Sequence, residues 1–272
     1  MAMIVIASAG LSDIGRKRHS NQDAFLMDDA QGLYVVADGM GGHQAGEVAS
    51  QIVVDSIHQY YAASPPDADQ ETTRHDPSLS PDANRLREAI HYANQKVYQA
   101  AADNKAYQGM GSTLAAIHFS RNTFIAANVG DSPIYLIHEN AIETLSVPHT
   151  LMAEQQEFHP EDQTVFSPEL RHMLTRGMGV EDTVQPDICE SPCFSGDCLV
   201  VCSDGLSGKV TPEEIRAVVA AHSAPDACQK LIEMANQRGG DDNITALVLH
   251  VHTANPLLQR LRHWFGRLTD NN

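Results

Sequence analysis

Apolar and polar positions follow two rhythms along this chain. Short apolar runs of strand length come first, at residues 4–8, 24–27 and 33–37. A 3.6-residue period then takes over. Ala49, Ile52, Val53, Ser56, Ile57 and Tyr60 share one helical face, and Leu86, Ala89, Ile90, Ala93, Val97 and Ala100 share another. Between these helices, residues 64–82 hold four prolines and five acids, which predicts a mobile surface loop. Four strand-like runs follow, at 113–119, 123–129, 133–138 and 141–145. Residues 148–173 are polar without a clean period and predict a lid or flap. Two further apolar runs, Leu199-Val200-Val201-Cys202 and 244–249, also read as strands. Thr211-Pro212-Glu213-Glu214 predicts a capped helix start, with Ile215, Val218 and Val219 inward. Ser223-Ala224-Pro225-Asp226 opens another helix, which ends near Gly239-Gly240.

Helices thus come in two pairs separated by a block of strands. Strict alternation would predict a parallel sheet; blocks predict an α+β fold with largely antiparallel sheets. Two helix pairs can cover the two outer faces of a stacked pair of sheets. No internal repeat is present.

The chain has 272 residues, enough to bury a real core. Its net charge of -17 would repel nucleic-acid backbones and excludes a DNA or RNA role. Residues 1–9 (MAMIVIASA) superficially resemble a signal peptide but lack a basic n-region, so a first strand and a cytoplasmic location are the reading. Of five cysteines, Cys189, Cys193, Cys198 and Cys202 cluster, but not with the C-x2-C spacing of zinc sites. Core thiols are the reading. The 14 histidines show no H-E-x-x-H or comparable ligand spacing.

Acids stand at strand ends. Asp38 follows the run Leu33-Tyr34-Val35-Val36-Ala37 and opens Asp38-Gly39-Met40-Gly41-Gly42-His43. Ser203-Asp204-Gly205 follows the run ending at Cys202, and Asp241-Asp242-Asn243 precedes Ile244. Any one Asp-Gly is by itself only a turn. Three acids so placed predict a gathering on one edge of one sheet. Carboxylate oxygens suit hard divalent cations, so the expectation is a metal-dependent enzyme.

Further motifs complete a series. In order they are Ser12-Asp13-Ile14-Gly15, Arg18-His19-Ser20-Asn21-Gln22-Asp23, the Asp38 run, and Gly109-Met110-Gly111-Ser112-Thr113. Asn128-Val129-Gly130-Asp131-Ser132, Thr175-Arg176-Gly177-Met178-Gly179, Ser203-Asp204-Gly205-Leu206 and Asp242-Asn243-Ile244-Thr245 follow. This order, over about residues 10–251, resembles the metal-dependent serine/threonine protein phosphatases of type 2C, the PPM family, in their bacterial form.

The resemblance implies a central antiparallel β-sandwich with a pair of helices on each outer face, a four-layer αββα arrangement. It implies a flap near the active site and two Mn²⁺ or Mg²⁺ ions, with a weaker third. Asp38 matches the aspartate bridging the two ions, the Gly39 carbonyl a ligand of the second, and Asp204 and Asp242 ligands of the first. Asp23 matches an acid acting through water, Asp131 an acid for the third ion shared with Asp204, and Arg18 the phosphate-binding arginine. The implied reaction is hydrolysis of phosphoserine and phosphothreonine by direct attack of a hydroxide held between the two ions. Two ions roughly 3.5–4 Å apart can activate such a nucleophile and clamp an in-line displacement. A guanidinium adds bidentate charge for the phosphate dianion. Phosphorylated proteins, and a serine/threonine kinase or its targets, are the implied partners. A phosphatase of small phosphoesters and a catalytically dead phosphoprotein-binding module are the alternatives; the latter conflicts with intact Arg18, Asp38, Asp204 and Asp242.

Departures from the family pattern are local. Met40 stands where eukaryotic members carry a proton-donating histidine, which leaves protonation of the leaving group to solvent at the metal site; His43 is the alternative donor. Gln22 replaces a glutamate ligand, so the second ion should lean more on water. Pro133 replaces an arginine, and Pro148-His149-Thr150 stands where Asp-His-Ser is usual, which puts flap behaviour and substrate choice in question.

These readings divide the chain into a catalytic domain at 1–252 and a tail at 253–272. Within the tail, Leu257, Leu258, Leu261, Trp264, Phe265 and Leu268 form one broad apolar face, and residues 255–272 carry three arginines against one aspartate. Docking on its own domain or on a second copy is the reading; a partner or a membrane surface is the sharper alternative.

Overall fold

A computed structural model describes residues 4–42, 45–63, 76–158, 170 and 173–253. Two antiparallel sheets form its centre. One contains β1 (Ile4–Asp13), β11 (Ile244–Thr253), β10 (Cys198–Cys202), β7 (Ile134–His138) and β8 (Ala141–Thr144), in that spatial order. The other runs β2 (Asp23–Asp28), β3 (Leu33–Met40), β5 (Leu114–Ser120), β6 (Thr123–Val129) and β9 (Asp187–Pro192), with β4 (Gly111–Ser112) paired to the end of β3.

Strand periodicity explains the layering. Successive residues of a strand face opposite sides. In β3, Leu33, Val35 and Ala37 face the helices α1 (Ala45–Ala63) and α2 (Pro81–Asp103), while Tyr34 and Val36 face the second sheet. In β11, Leu247, Leu249 and Val251 enter the core between the sheets. Ala246 and Val248 meet α5 (Pro212–Ala221) and α6 (Ala224–Gln237) on the other side. The central strands of both sheets are therefore buried on both faces, which is why they read as unbroken apolar runs. The four layers are the expected αββα order.

Helix boundaries follow their caps. Thr211 and Glu214 form a reciprocal capping box, with the Glu214 N–H donating to Thr211 Oγ1 at 3.4 Å and the Thr211 N–H to Glu214 Oε2 at 3.0 Å. Ser80 and Ser223 cap α2 and α6, each followed by proline in the first turn. On α1 and α2, Ala49, Val53, Ile57, Leu86, Ile90 and Val97 are fully buried. Each fully buried Val, Leu or Ile side chain stabilises by roughly 1.5–3 kcal/mol.

The structure corrects several expectations. β3 continues through Asp38 and Gly39 to Met40, because β4 supplies it with a partner there. The run at 113–119 is interrupted at Thr113, which bonds sideways instead. β9 had no sequence signal: its alternation of half-buried and exposed residues in DICESP is weak. The polar segment after Pro148 contains α3 (Leu151–Phe158). Asp38 belongs to one sheet, whereas Asp204 follows β10 and Asp242 precedes β11 in the other. The acids therefore do not share one sheet edge.

The cysteines split between layers, Cys193 in the core between the sheets with Cys189 packed against it, Cys198 and Cys202 under α5 and α6. Burial pushes the Cys193 thiol up to about 11 and the Cys198 thiol up to about 12, as befits core thiols. Among the described residues no helix is long and apolar enough to cross a membrane. Most of the loop at 64–82 (residues 64–75), His43, half of the 148–173 segment expected to form a flap (159–169, 171 and 172) and the tail at 254–272 lie outside the described residues.

Candidate active site

The antiparallel register of β2 and β3 sets Asp23 directly opposite Asp38. Like charges so placed are destabilising, so this pairing needs support from elsewhere. The Asp38 backbone is held on both sides: its N–H donates to Thr113 Oγ1 at 3.0 Å, and its carbonyl accepts from Thr113 N at 2.8 Å and Ser112 Oγ at 3.0 Å. The Gly39 N–H donates to the Gln22 carbonyl at 3.0 Å. A Cβ on Gly39 would lie 1.9 Å from the Gly46 carbonyl oxygen, so only glycine lets α1 approach here.

The second sheet closes the site from the other side. Asp204 begins the short helix α4 (Asp204–Ser207), with Ser203 at its N-cap position. A Cβ on Gly205 would lie 1.9 Å from the Asn243 carbonyl oxygen, so α4 sits hard against the residues before β11. Ser203 Oγ and Thr245 Oγ1 both donate to Asp23 Oδ2, each at 2.7 Å. With its one proton so used, Thr245 accepts from Ser12 Oγ at 2.8 Å, and Ser12 in turn accepts from Asn21 Nδ2 at 2.8 Å. Asn243 staples the intervening loop: its Oδ1 accepts from Gln22 N at 2.8 Å, and its Nδ2 donates to the Ile14 and Ser20 carbonyls. That loop delivers Arg18, whose Nη2 donates to Asp242 Oδ2 at 2.7 Å.

Electrostatics mark the centre. Burial is the main cause that raises the Asp23 carboxyl to about 6; Asp204 and Asp242 add to it, against the lowering hydrogen bonds from Thr245 and Ser203. Asp38 is raised well above the usual carboxylate range, first by burial and then by Asp23, Asp204, Asp242 and Asp131. Four other acids therefore bear on Asp38. Asp241, next in sequence, behaves oppositely, with Lys17 and then Lys209 pulling it down to about 2. Its charge is compensated by lysines, whereas Asp23 and Asp38 are raised by burial and by neighbouring acids.

Such a set fits hard divalent cations. The donors are carboxylate oxygens, and Asp23 Oδ1 is buried without a hydrogen-bond partner, which normally costs about 1–3 kcal/mol or more for a charged group. Among the described residues, no three acid, histidine or cysteine side chains converge on one coordination point as they stand. The carboxylates share a field, and Asp242 is turned to Arg18.

The structure brings together all the sequence-predicted side chains, Arg18, Asp23, Asp38, Asp131, Asp204 and Asp242, and places Gly39 beside them in β3. Sequence reasoning missed the hydroxyls and amides that hold them: Ser12, Thr113, Ser203, Asn243 and Thr245. Each stands in or beside an acid-bearing motif, and that adjacency was the available signal. Met40 Cε packs where side chains on Gly111 or Gly177 would start, within 2.7 and 2.4 Å of their would-be Cβ atoms. It is an apolar neighbour of the acids without a proton to give.

A four-layer sandwich with carboxylates gathered at one end, and a guanidinium beside them, has the chemistry that suits divalent cations and anionic esters. Comparison with known proteins narrows this. The sequence matches the Protein phosphatase 2C family across residues 10–248. The serine/threonine phosphatase stp of Listeria welshimeri is 34% identical over 247 residues, covering 88% of this chain and 93% of that protein. The PPM Ser-Thr phosphatase MsPP from Mycobacterium smegmatis, solved in complex with cacodylate, is similar with a TM-score of 0.74 and 30% identity over 90% of this chain and 98% of that one. The catalytic domain of the serine/threonine protein phosphatase PstP, in complex with two manganese ions, gives a TM-score of 0.77 and 29% identity over 92% of this chain and 99% of that one. The chain belongs to the protein phosphatase 2C family, and is a metal-dependent serine/threonine protein phosphatase.

Proposed function

We propose that this enzyme hydrolyses phosphoserine and phosphothreonine in proteins at the Asp38 centre, opposing a serine/threonine kinase. The observation that carries this is the burial of Asp38 beside the charges of Asp23, Asp204, Asp242 and Asp131, with the Arg18 guanidinium on Asp242. Asp38, the Gly39 carbonyl, Asp204 and Asp242 would hold two Mn²⁺ or Mg²⁺ ions, Asp23 would act through water, and Asp131 would serve a weaker third ion. When bound, such ions lower the pKa of water and offset the charge of a phosphate in an in-line displacement. The chain's own residues do the rest. Arg18 offers the phosphate a planar pair of donors. Ser203 and Thr245 fix the Asp23 carboxylate, and Thr113 fixes the backbone of Asp38. Direct attack by water needs no serine or cysteine nucleophile, and the thiols with raised pKa values are unsuited to that role.

A protein substrate, rather than a small phosphoester, is favoured by the apolar lip beside the acids. Val180 is 57% exposed. Its side chain and Met40 both border Gly111 and Gly177. Such a lip suits the side chains flanking a phosphorylated residue. We assign residues 1–252 to the catalytic domain, in the cytoplasm, and 253–272 to a tail that docks on this domain or a partner. Liposome pelleting with and without residues 255–272 tests the membrane alternative; unchanged pelleting removes it.

The test of the main reading is hydrolysis of phosphoserine, phosphothreonine and phosphotyrosine peptides alongside p-nitrophenyl phosphate and metabolite esters, with Mn²⁺, Mg²⁺ or chelator. Metal-dependent preference for phosphoserine and phosphothreonine peptides is expected. Equal or better turnover of metabolite esters would favour the small-ester reading, and no turnover at all the binding-module reading.

A further inference from the structure

His149 is completely buried at the end of β6, close to the acids yet outside their set. It grips Gly130 at two points. Its backbone N–H donates to the Gly130 carbonyl at 3.0 Å, and its ring Nδ1 lies 3.0 Å from the Gly130 N–H. A backbone N–H can only donate, so Nδ1 accepts and the ring proton sits on Nε2. That proton is given to Asp187 Oδ2 at 2.5 Å, and the same oxygen accepts from Arg176 Nη1 at 3.0 Å. Two residues upstream, the Asn128 amide brackets Val147, donating to its carbonyl at 2.7 Å and accepting its N–H at 3.1 Å. Residues 147–149 are thus zipped to the end of β6 by two side-chain brackets.

Gly130 is followed immediately by Asp131, whose charge acts on Asp38. Ser132 Oγ then pairs with Thr113 Oγ1 at 2.7 Å, and Thr113 Oγ1 accepts from the Asp38 N–H. Asp131 is therefore held from behind by His149 and from ahead by the residues that hold Asp38. The other side of His149 meets the base of the 151–173 segment. Its carbonyl accepts from Thr175 N at 3.0 Å, Thr150 and Leu174 form an antiparallel bridge, and the Leu151 N–H donates to the Met173 carbonyl at 2.9 Å.

We infer that His149 is a positioning residue, which sets Asp131 against the acid centre and ties that setting to the neck of the 151–173 segment. The inference rests on the proposed role of Asp131 in holding an ion. A buried ring whose two nitrogens are both hydrogen-bonded is fixed in tautomer and orientation. Here both are used, and in opposite senses.

Two substitutions separate the two ring nitrogens. His149→Asn keeps an acceptor near the position of Nδ1 and gives up the donor to Asp187. His149→Gln places its amide near Nε2 and gives up the acceptor for Gly130. Backbone amide exchange at Gly130, measured by NMR in the chelated protein, reads the bracket without metal. Calorimetric titration with Mn²⁺ reads the weakest class of bound ion, with Asp131→Asn as the reference. The expected result for His149→Gln is roughly tenfold faster exchange at Gly130 and a similar roughly tenfold loss for the weakest ion, the scale of one buried donor left unmade. His149→Asn should stay near wild type in both. Equal behaviour of the two variants, or unchanged exchange at Gly130 in His149→Gln, would overturn the inference. If Asp131→Asn leaves Mn²⁺ binding intact, the reading of Asp131 as a ligand fails, and Gly130 exchange still decides whether His149 sets that segment.

Discussion

Replacing Asp23 with asparagine should stabilise the metal-free protein at neutral pH while weakening its hold on divalent cations. Asp23 titrates near 6 in the folded chain against 3.8 for an ordinary aspartate, chiefly because of burial. Its folded pKa is the higher one, so between about pH 4 and 6 the folded chain binds a proton that the unfolded chain has released. Stability from this group is present below that window and is lost as pH rises through 6. The loss at pH 7 is about 1.36 kcal/mol for each of roughly two pKa units, or about 3 kcal/mol. An amide carries no charge and can still accept from Ser203 and Thr245, so Asp23→Asn recovers up to that amount. For a domain of this size, 1 kcal/mol moves the melting temperature by about 2–4 °C, which gives a rise of up to about 6–12 °C. Thermal unfolding followed by circular dichroism in chelator, from pH 4 to 8, checks this as the difference between the two proteins. That difference removes the contribution of other buried titrating groups such as His118, whose imidazole burial holds below its usual range. Added Mn²⁺ should reverse the order, because an ion that binds only the folded state stabilises the wild type more. A variant that melts lower than wild type at pH 7 in chelator, or keeps its advantage unchanged at pH 4, would rule out a buried, raised Asp23 carboxyl as the cause.

Three further outcomes follow from the same contacts. Thr245→Val removes a donor to Asp23 and the acceptor for Ser12, and should cost about 1–3 kcal/mol in a urea titration while lowering turnover. Gly205→Ala puts a methyl group 1.9 Å from the Asn243 carbonyl oxygen, so α4 and Asp204 must move; Mn²⁺ affinity should drop at least tenfold, and unaltered affinity would count against this packing. Thr211→Ala breaks a capping box that shares no hydrogen bond with the acids and should cost about 1 kcal/mol by denaturant midpoint with turnover unchanged.

Much of the fold was legible because the central strands of both sheets are buried on both faces. That leaves plain apolar runs in β3, β10 and β11, and the helix pairs carry clean inward stripes and cap residues. β9 was illegible because as a half-exposed strand it gains its place from pairing with β6, which is a long-range property. The acids were legible one at a time, as Asp-Gly steps after apolar runs. Their meeting was not, since it depends on two sheets facing each other and on a register that sets Asp23 against Asp38. The supporting hydroxyls were harder still: Ser12 and Thr245 are 233 residues apart and become partners only when β1 pairs with β11.

On the proposed function, Asp38 and its neighbouring acids form the metal centre that hydrolyses the phosphate ester. Mn²⁺ binding and phosphothreonine-peptide hydrolysis, measured on the same preparations of wild type and Asp38→Asn, test it most directly. The wild type should bind about two ions tightly and turn over in a chelator-sensitive way, and the variant should lose tight binding and at least about 100-fold in turnover, the scale of a removed electrostatic contribution to the transition state. Hydrolysis that survives chelator, or full activity and metal stoichiometry in Asp38→Asn, would contradict it.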